Sequence, residues 1–186
     1  IAHGLQMQLM GIRSVVENFS VVTTGIFMSG YFTGYFLGSK TTPLLVQKVG
    51  HIRVFAAFAS LASLSALLAA VYVNPTMWTL SRFITGISLV SCYIVTESWL
   101  NDRATNKNRG QLLSAYFIIL YIGLGIGMLL LNVSDPKNYE PFILVSVLLS
   151  LALVPILLTK RSAPKFKKIG TISVKELYEI SPLGTV

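Results

Sequence analysis

The stretch "SRFITGISLVSCYIVTESW", residues 81–99, places one arginine and one glutamate in an otherwise uncharged run. At about 100° per helical residue, Arg82, Gly86, Leu89, Tyr93 and Glu97 share a narrow arc, with Thr85 and Thr96 on its flank. The rest of the surface is Phe83, Ile84, Ile87, Val90, Ile94 and Val95. An arginine inside a membrane costs several kcal/mol (roughly 3 on insertion scales) unless it faces a cavity or a partner. This face is therefore expected to line water or a binding site. There Arg82 would bind an anionic group or tune a nearby proton site; the structural alternative is an ion pair or a carbonyl contact. Glu97, near the end of the same segment, could exchange protons. A carboxylate there more often pairs with a loop Arg or Lys, and that is the expectation.

A second spacing occurs in "GYFTGYFLGSK", residues 30–40. Gly30, Gly34 and Gly38 recur every fourth residue, which puts them on one helix face. A face without side chains lets helix backbones approach closely in lipid. Gly123 and Gly127 in "YIGLGIGML" repeat the spacing. Lys40 falls about 200° round from Gly38, away from that face, and is expected near a membrane boundary. Arg13 and Glu17 are spaced for a local i, i+4 pair. His3 and His51 are too isolated in sequence to hold a metal, and Tyr31, Tyr35, Tyr116, Tyr121, Gln6 and Asn132 read first as packing or interface residues. With one cysteine, Cys92, there is no disulfide framework or cysteine metal site. No nucleophile elbow, phosphate loop or dinucleotide loop occurs, so no enzyme, cofactor or metal is expected.

The elements that carry these residues are set by hydropathy. The chain has 186 residues, of which 12% are charged, about half the share of a soluble domain. Residues 54–73, 112–133 and 142–159 are charge-free runs of 20, 22 and 18 residues, and about 20 apolar residues span a bilayer as helix. The expectation is a partial first span at 1–16 and full spans near 21–46, 54–73, 76–96, 111–133 and 141–159. Helix is the economical state because lipid offers the backbone no partner. Of the 15 basic residues, 11 fall on one side, in the loops near 48–53 and 103–109 and after residue 159. Arg13 and Lys137 fall on the other. That split predicts cytoplasmic basic loops and explains the formal charge of +8 without nucleic acid. Residues 160–186 read as a basic cytoplasmic linker. Ser173 and Glu176 form a capping box ahead of a short interfacial helix closed by Pro182, with Leu177 and Ile180 toward membrane or protein. The chain starts at Ile1, inside what reads as a helix, so a fragment is expected. Laying spans 1–3 over 4–6 matches the glycines of 2 and 5 and the charge-free spans 3 and 6. This is the pattern of an all-α bundle of two inverted three-helix repeats.

Several of these residues also resemble the major facilitator superfamily. "VQKVGHIRVF" is similar to its loop motif after span 2: Gln47 where an acidic residue stands, Lys48, a variable Val49, Gly50, then bases to Arg53. "RFITG", residues 82–86, resembles its span 4 motif of Arg and Gly four apart. "TESWLNDRATNKNRGQLLS" with "YIGLGIGMLLLN" is similar to the bacterial YcaD-like group. The resemblance implies the N-terminal half of a twelve-helix transporter of the inner cell membrane; the alternative is a non-transporting scaffold or accessory subunit of a larger membrane complex with a transporter-like fold. Two six-helix halves would work by alternating access, moving a small solute with an ion such as the proton. Spans 1 and 4 would line the central cavity, 2 and 5 the interface between halves, and 3 and 6 the outside. The partners implied are membrane lipids, the solute, and either a C-terminal six-helix half or another membrane subunit. The neutral Gln47 argues against a gating ion pair from that position. "GLGIG" lacks the proline of the antiporter motif, so antiport is not implied.

Overall fold

A computed structural model describes residues 1–158, and among these no strand occurs. The helices are α1 Ala2–Val16, α2 Val21–Val49, α3 His51–Val71, α4 Pro75–Arg103, α5 Arg109–Leu129 and α6 Glu140–Leu151, continued after Ala152 by a short α7, Leu153–Leu157. A 3₁₀ turn, Leu130–Val133, extends α5. The linker and interfacial helix expected at 160–186 lie outside the described residues.

Local chemistry sets the boundaries. Ser20 caps α2, its Oγ accepting from the Thr23 N–H at 3.1 Å. Asn74 caps α4 in the same way, accepting from the Met77 N–H at 2.9 Å, with Pro75 in the first turn where its missing N–H costs nothing. Gly50 alone joins α2 to α3, at φ 90° and ψ 160°, backbone that strains any residue with a Cβ. The helices overrun the expected spans: α2 continues through Pro43 to Val49, and α4 runs to Arg103. Hydropathy locates the membrane-buried part of a helix, whereas backbone hydrogen bonds continue into water until a cap stops them. Four helices are long and apolar enough to cross a membrane: His51–Val71, Pro75–Arg103, Arg109–Val133 and Glu140–Leu157. The 29-residue α2 is diluted by its glycines, threonines and tyrosines.

Helix packing follows an internal two-fold pattern. α2 lies parallel to α4 and α1 parallel to α5, as the rising residue numbers at their contacts require. α3 packs on α4, α6 packs on α1, and α3 meets α6 between them. Exchanging α1–α3 with α4–α6 maps α2–α4 onto α1–α5 and α3–α4 onto α1–α6 and leaves α3–α6 unchanged, as two inverted three-helix repeats demand. Ser63 of α3 meets Ser146 (2.6 Å) and Ser150 (3.1 Å) of α6 where the repeats join.

The glycine stripe makes a close contact, but its partner differs from the expected one. Gly30, Gly34 and Gly38 are buried against α4 of the same bundle. A Cβ at Gly30 would lie 2.9 Å from the Thr79 carbonyl oxygen; at Gly34 it would overlap the Phe83 carbonyl, and at Gly38 the Val90 side chain. Periodicity identifies the smooth face of a helix and not the surface it meets. The stripe is thus closed inside this chain and unavailable to a second half. Gly127 is seated likewise on the Ile1 carbonyl, while Gly123 sits 3.3 Å from the Ile1 nitrogen. Lys40 is exposed, its Nζ 4.3 Å from the centre of the Phe36 ring.

Candidate functional site

The polar face of α4 divides into a sealed part and an open part. In the sealed part, Thr85 is fully buried and shares its hydroxyl with Ser65 of α3 at 2.9 Å, while Gln6 of α1 donates to it at 3.4 Å. Ser81 donates to the Ser65 carbonyl at 2.7 Å. These bonds tie α1, α3 and α4 together away from lipid. Gly86 is not on an open surface: a Cβ there would overlap the Tyr31 carbonyl, so its smallness serves the α2–α4 contact. Other helices cover both Thr85 and Gly86 in this conformation.

Arg82 sits in the same sealed layer, only 2% exposed. Its Nε and Nη1 have no hydrogen-bond partner. The guanidinium carbon lies 4.7 Å from the centre of the Tyr31 ring of α2, a cation–π contact worth about 2 kcal/mol when desolvated. His3 of α1 stacks on that ring too, 5.4 Å between centroids and 19° between planes, and its Nδ1 is also buried without a partner. Ser88 adds a third orphan, its Oγ. Among the described residues neither an ion pair nor a carbonyl holds Arg82. The sole salt bridge among the described residues is Arg13 with Glu17, 2.6 Å. Arg13 also donates to the carbonyls of Pro136, Lys137 and Asn138, pinning the α5–α6 loop to the end of α1.

The open part begins at Leu89. A cavity of about 610 Å³ is lined by His3, Phe55, Leu89, Tyr93, Thr96 and Tyr116, among others, and is mostly apolar. Glu97 accepts a long contact from the Tyr116 hydroxyl, 3.5 Å, and no basic side chain pairs with it among the described residues. The expected loop partner is therefore absent there. The helix ends below carry Gln47, Lys48 and Arg53, all exposed around Gly50. His51 instead turns inward, its Nε2 2.9 Å from the Ser98 hydroxyl and its ring stacked on Trp99. Sequence reasoning set His3 and Gln6 aside. Each stands alone in the chain, and only the folded bundle brings His3 to Tyr31 of α2 and Gln6 to Thr85 of α4. Long apolar helices make this a polytopic membrane bundle, and the unpartnered Arg82 and His3 give it a polar interior beside the cavity that His3 lines.

Comparison with known proteins agrees. The family model described as Major Facilitator Superfamily matches residues 3–179, and the chain belongs to that superfamily. It is 26% identical over 164 residues to an uncharacterized MFS-type transporter, YcaD, of Escherichia fergusonii, covering 88% of this chain and 43% of that protein. An uncharacterized MFS-type transporter of Enterobacter sp. (strain 638) is 30% identical over 146 residues, 77% of this chain and 38% of that protein. YcaD of Escherichia coli O6:K15:H31 has the same identity and coverage. The chain thus spans about two fifths of the length of these relatives.

Proposed function

We propose that this chain is the N-terminal half of a secondary active transporter that moves a small solute by alternating access, with the proton as the coupling ion. Membership of the superfamily supports membrane transport. The observation that carries the mechanism is Arg82, a cation buried to 2% exposure in the bundle with two donor nitrogens left unpaired. A buried charge without a counter-ion costs several kcal/mol (roughly 3–5 when a partner is removed), of which the Tyr31 ring offsets about 2, so a ligand that completes Arg82 during the cycle would be stabilising. Leu89, Tyr93 and Thr96 would continue the path from Arg82 through the cavity. Glu97 beside the Tyr116 hydroxyl is the candidate proton carrier at its end. Six spans, of which α1 is the first, would place the ends near Gly50 and Arg103 in the cytoplasm, as the 11-to-2 division of basic residues favours. A C-terminal six-helix half is the partner proposed to close the cavity.

The test is uptake by proteoliposomes carrying the full-length protein, screened against labelled small solutes with a proton gradient imposed. Wild type should concentrate at least one solute, and Arg82→Ala should abolish that uptake at unchanged protein insertion. Equal uptake by the variant would remove Arg82 from the mechanism.

A further inference from the structure

We propose that Lys40 of α2 forms an ion pair with a carboxylate on a helix of the C-terminal half, across the face of α2 that this bundle leaves uncovered. The inference rests on the reading of the chain as one half of a transporter and names a contact between the halves.

Lys40 was expected near the membrane boundary, yet α2 continues as helix for nine residues beyond it, to Val49, about 13 Å at the helical rise. Contacts with α4 fix its level. Thr42 shares a 2.7 Å hydrogen bond with Ser91. The α2–α3 turn lies level with Ser98, which His51 meets at 2.9 Å. Ser91 and Ser98 are seven residues apart on α4, about 10 Å, and Lys40 stands further inside still. It lies on the side of α2 opposite the glycine stripe that α4 covers. Phe32, Phe36 and Leu44 share that side at four-residue spacing, and all are exposed. The Lys40 Nζ lies over the Phe36 ring, and no carboxylate pairs with it among the described residues. A cation at this depth is unfavourable without a partner, and an exposed cation–π contact offsets only part of that.

The partner is chosen by elimination. Lipid phosphates lie at the headgroup level, where Lys48 and Arg53 flank the α2–α3 turn, nine residues or so below Lys40. A second copy docked about a two-fold axis would set Lys40 against its own equivalent, like charge against like. The carboxylates of this bundle are placed elsewhere: Glu17 holds Arg13, Glu97 accepts from Tyr116, and Asp102, Asp135 and Glu140 are exposed near helix ends or in a loop. The chain spans only 43% and 38% of two of its relatives, which leaves room for a second set of helices. A carboxylate within one of them would meet the same cost in lipid as Lys40, and pairing removes it for both.

The test uses the full-length protein in membranes, with a protease site inserted in the stretch 160–186 so that the halves separate on a denaturing gel. Dicyclohexylcarbodiimide enters lipid and activates a carboxylate; an amine in contact then forms an amide, and the urea leaves. The halves should stay joined after proteolysis, with the link at Lys40 by mass spectrometry. Lys40→Arg keeps the cation but forms no such amide; it should lose the link and melt like wild type. Lys40→Gln should lose the link and melt lower by about 2–4 °C or more. In a Lys40→Glu background, replacing the linked carboxylate by lysine should restore the melting temperature. Undiminished joining in Lys40→Arg, a link to a second copy, or wild-type melting of Lys40→Gln overturns the pair. So does a stabilisation by Lys40 that gives no link and needs anionic lipid, which assigns the lysine to a headgroup. Arg82-dependent uptake without the link would overturn the pair while leaving the transporter reading in place.

Discussion

Replacing Gly34 by alanine should open the α2–α4 contact, and Gly25 in the same helix is the internal control. A Cβ at Gly34 would overlap the Phe83 carbonyl oxygen and lie 2.9 Å from its carbon, whereas a Cβ at Gly25 meets nothing within 4 Å. The obstructing atoms are backbone, so no rotamer change relieves them, and the helices must part by roughly 1 Å to regain ordinary contact distance. Overpacking of this kind costs typically 1–3 kcal/mol. Alanine's helix preference over glycine, about 0.5–1 kcal/mol, is common to both substitutions and cancels in the comparison. Gly34→Ala should therefore melt below Gly25→Ala by about 1–3 kcal/mol, or roughly 2–12 °C at 2–4 °C per kcal/mol. Gly86→Ala collides with the Tyr31 carbonyl across the same contact, so the Gly34/Gly86 double variant should lose less than the sum of the two. The assay is thermal unfolding of the purified full-length protein followed by tryptophan fluorescence. Equal melting of Gly34→Ala and Gly25→Ala would refute the close-contact account.

Three further outcomes follow from the same geometry. Gly4→Ala, whose Cβ would overlap the Leu124 carbonyl, should lower the melting temperature, and Gly125→Ala on α5, with nothing within 4 Å, should not. Gly50→Ala should cost about 1–3 kcal/mol for its strained backbone, readable in the same melts, because φ is 90° there. Trp78 is fully buried and donates its indole N–H to the Ala69 carbonyl at 3.0 Å; Trp78→Phe should cost about 1 kcal/mol or more and lower the melting temperature, since the carbonyl is left without its donor.

Much of the fold was legible because membrane helices announce themselves by length and by missing charge. The 3+3 symmetry was visible in paired glycine stripes and charge-free spans, and the contacts of α2 on α4 and α1 on α5 realise it. What a smooth face touches was not legible. Gly30, Gly34 and Gly38 were expected where two halves meet, yet α4 covers them. Gly86 read as part of a polar arc because a missing side chain looks alike in a pore and in a packed contact. At the site, Arg82 stood out alone as a charge in an apolar run. His3 and Tyr31 carried no signal, since a lone histidine and a tyrosine 28 positions apart acquire meaning only once α1 and α2 are packed. Glu97 was visible, but its neighbour Tyr116, 19 residues away across the α4–α5 loop, was not.

The most direct test of alternating access is the side from which the cavity can be reached. Tyr93 lines that cavity and Thr85 is sealed between helices, so cysteines introduced at each, with Cys92 and every other native cysteine of the full-length protein replaced by serine, report two different environments. A membrane-impermeant maleimide would be applied to right-side-out and inside-out vesicles containing the full-length protein. The account predicts that Tyr93→Cys is labelled from both sides as the protein samples its two states, with Thr85→Cys reacting more slowly from either. Labelling of Tyr93→Cys from one side only, unchanged by a proton gradient of either sign or by added solute, would contradict it.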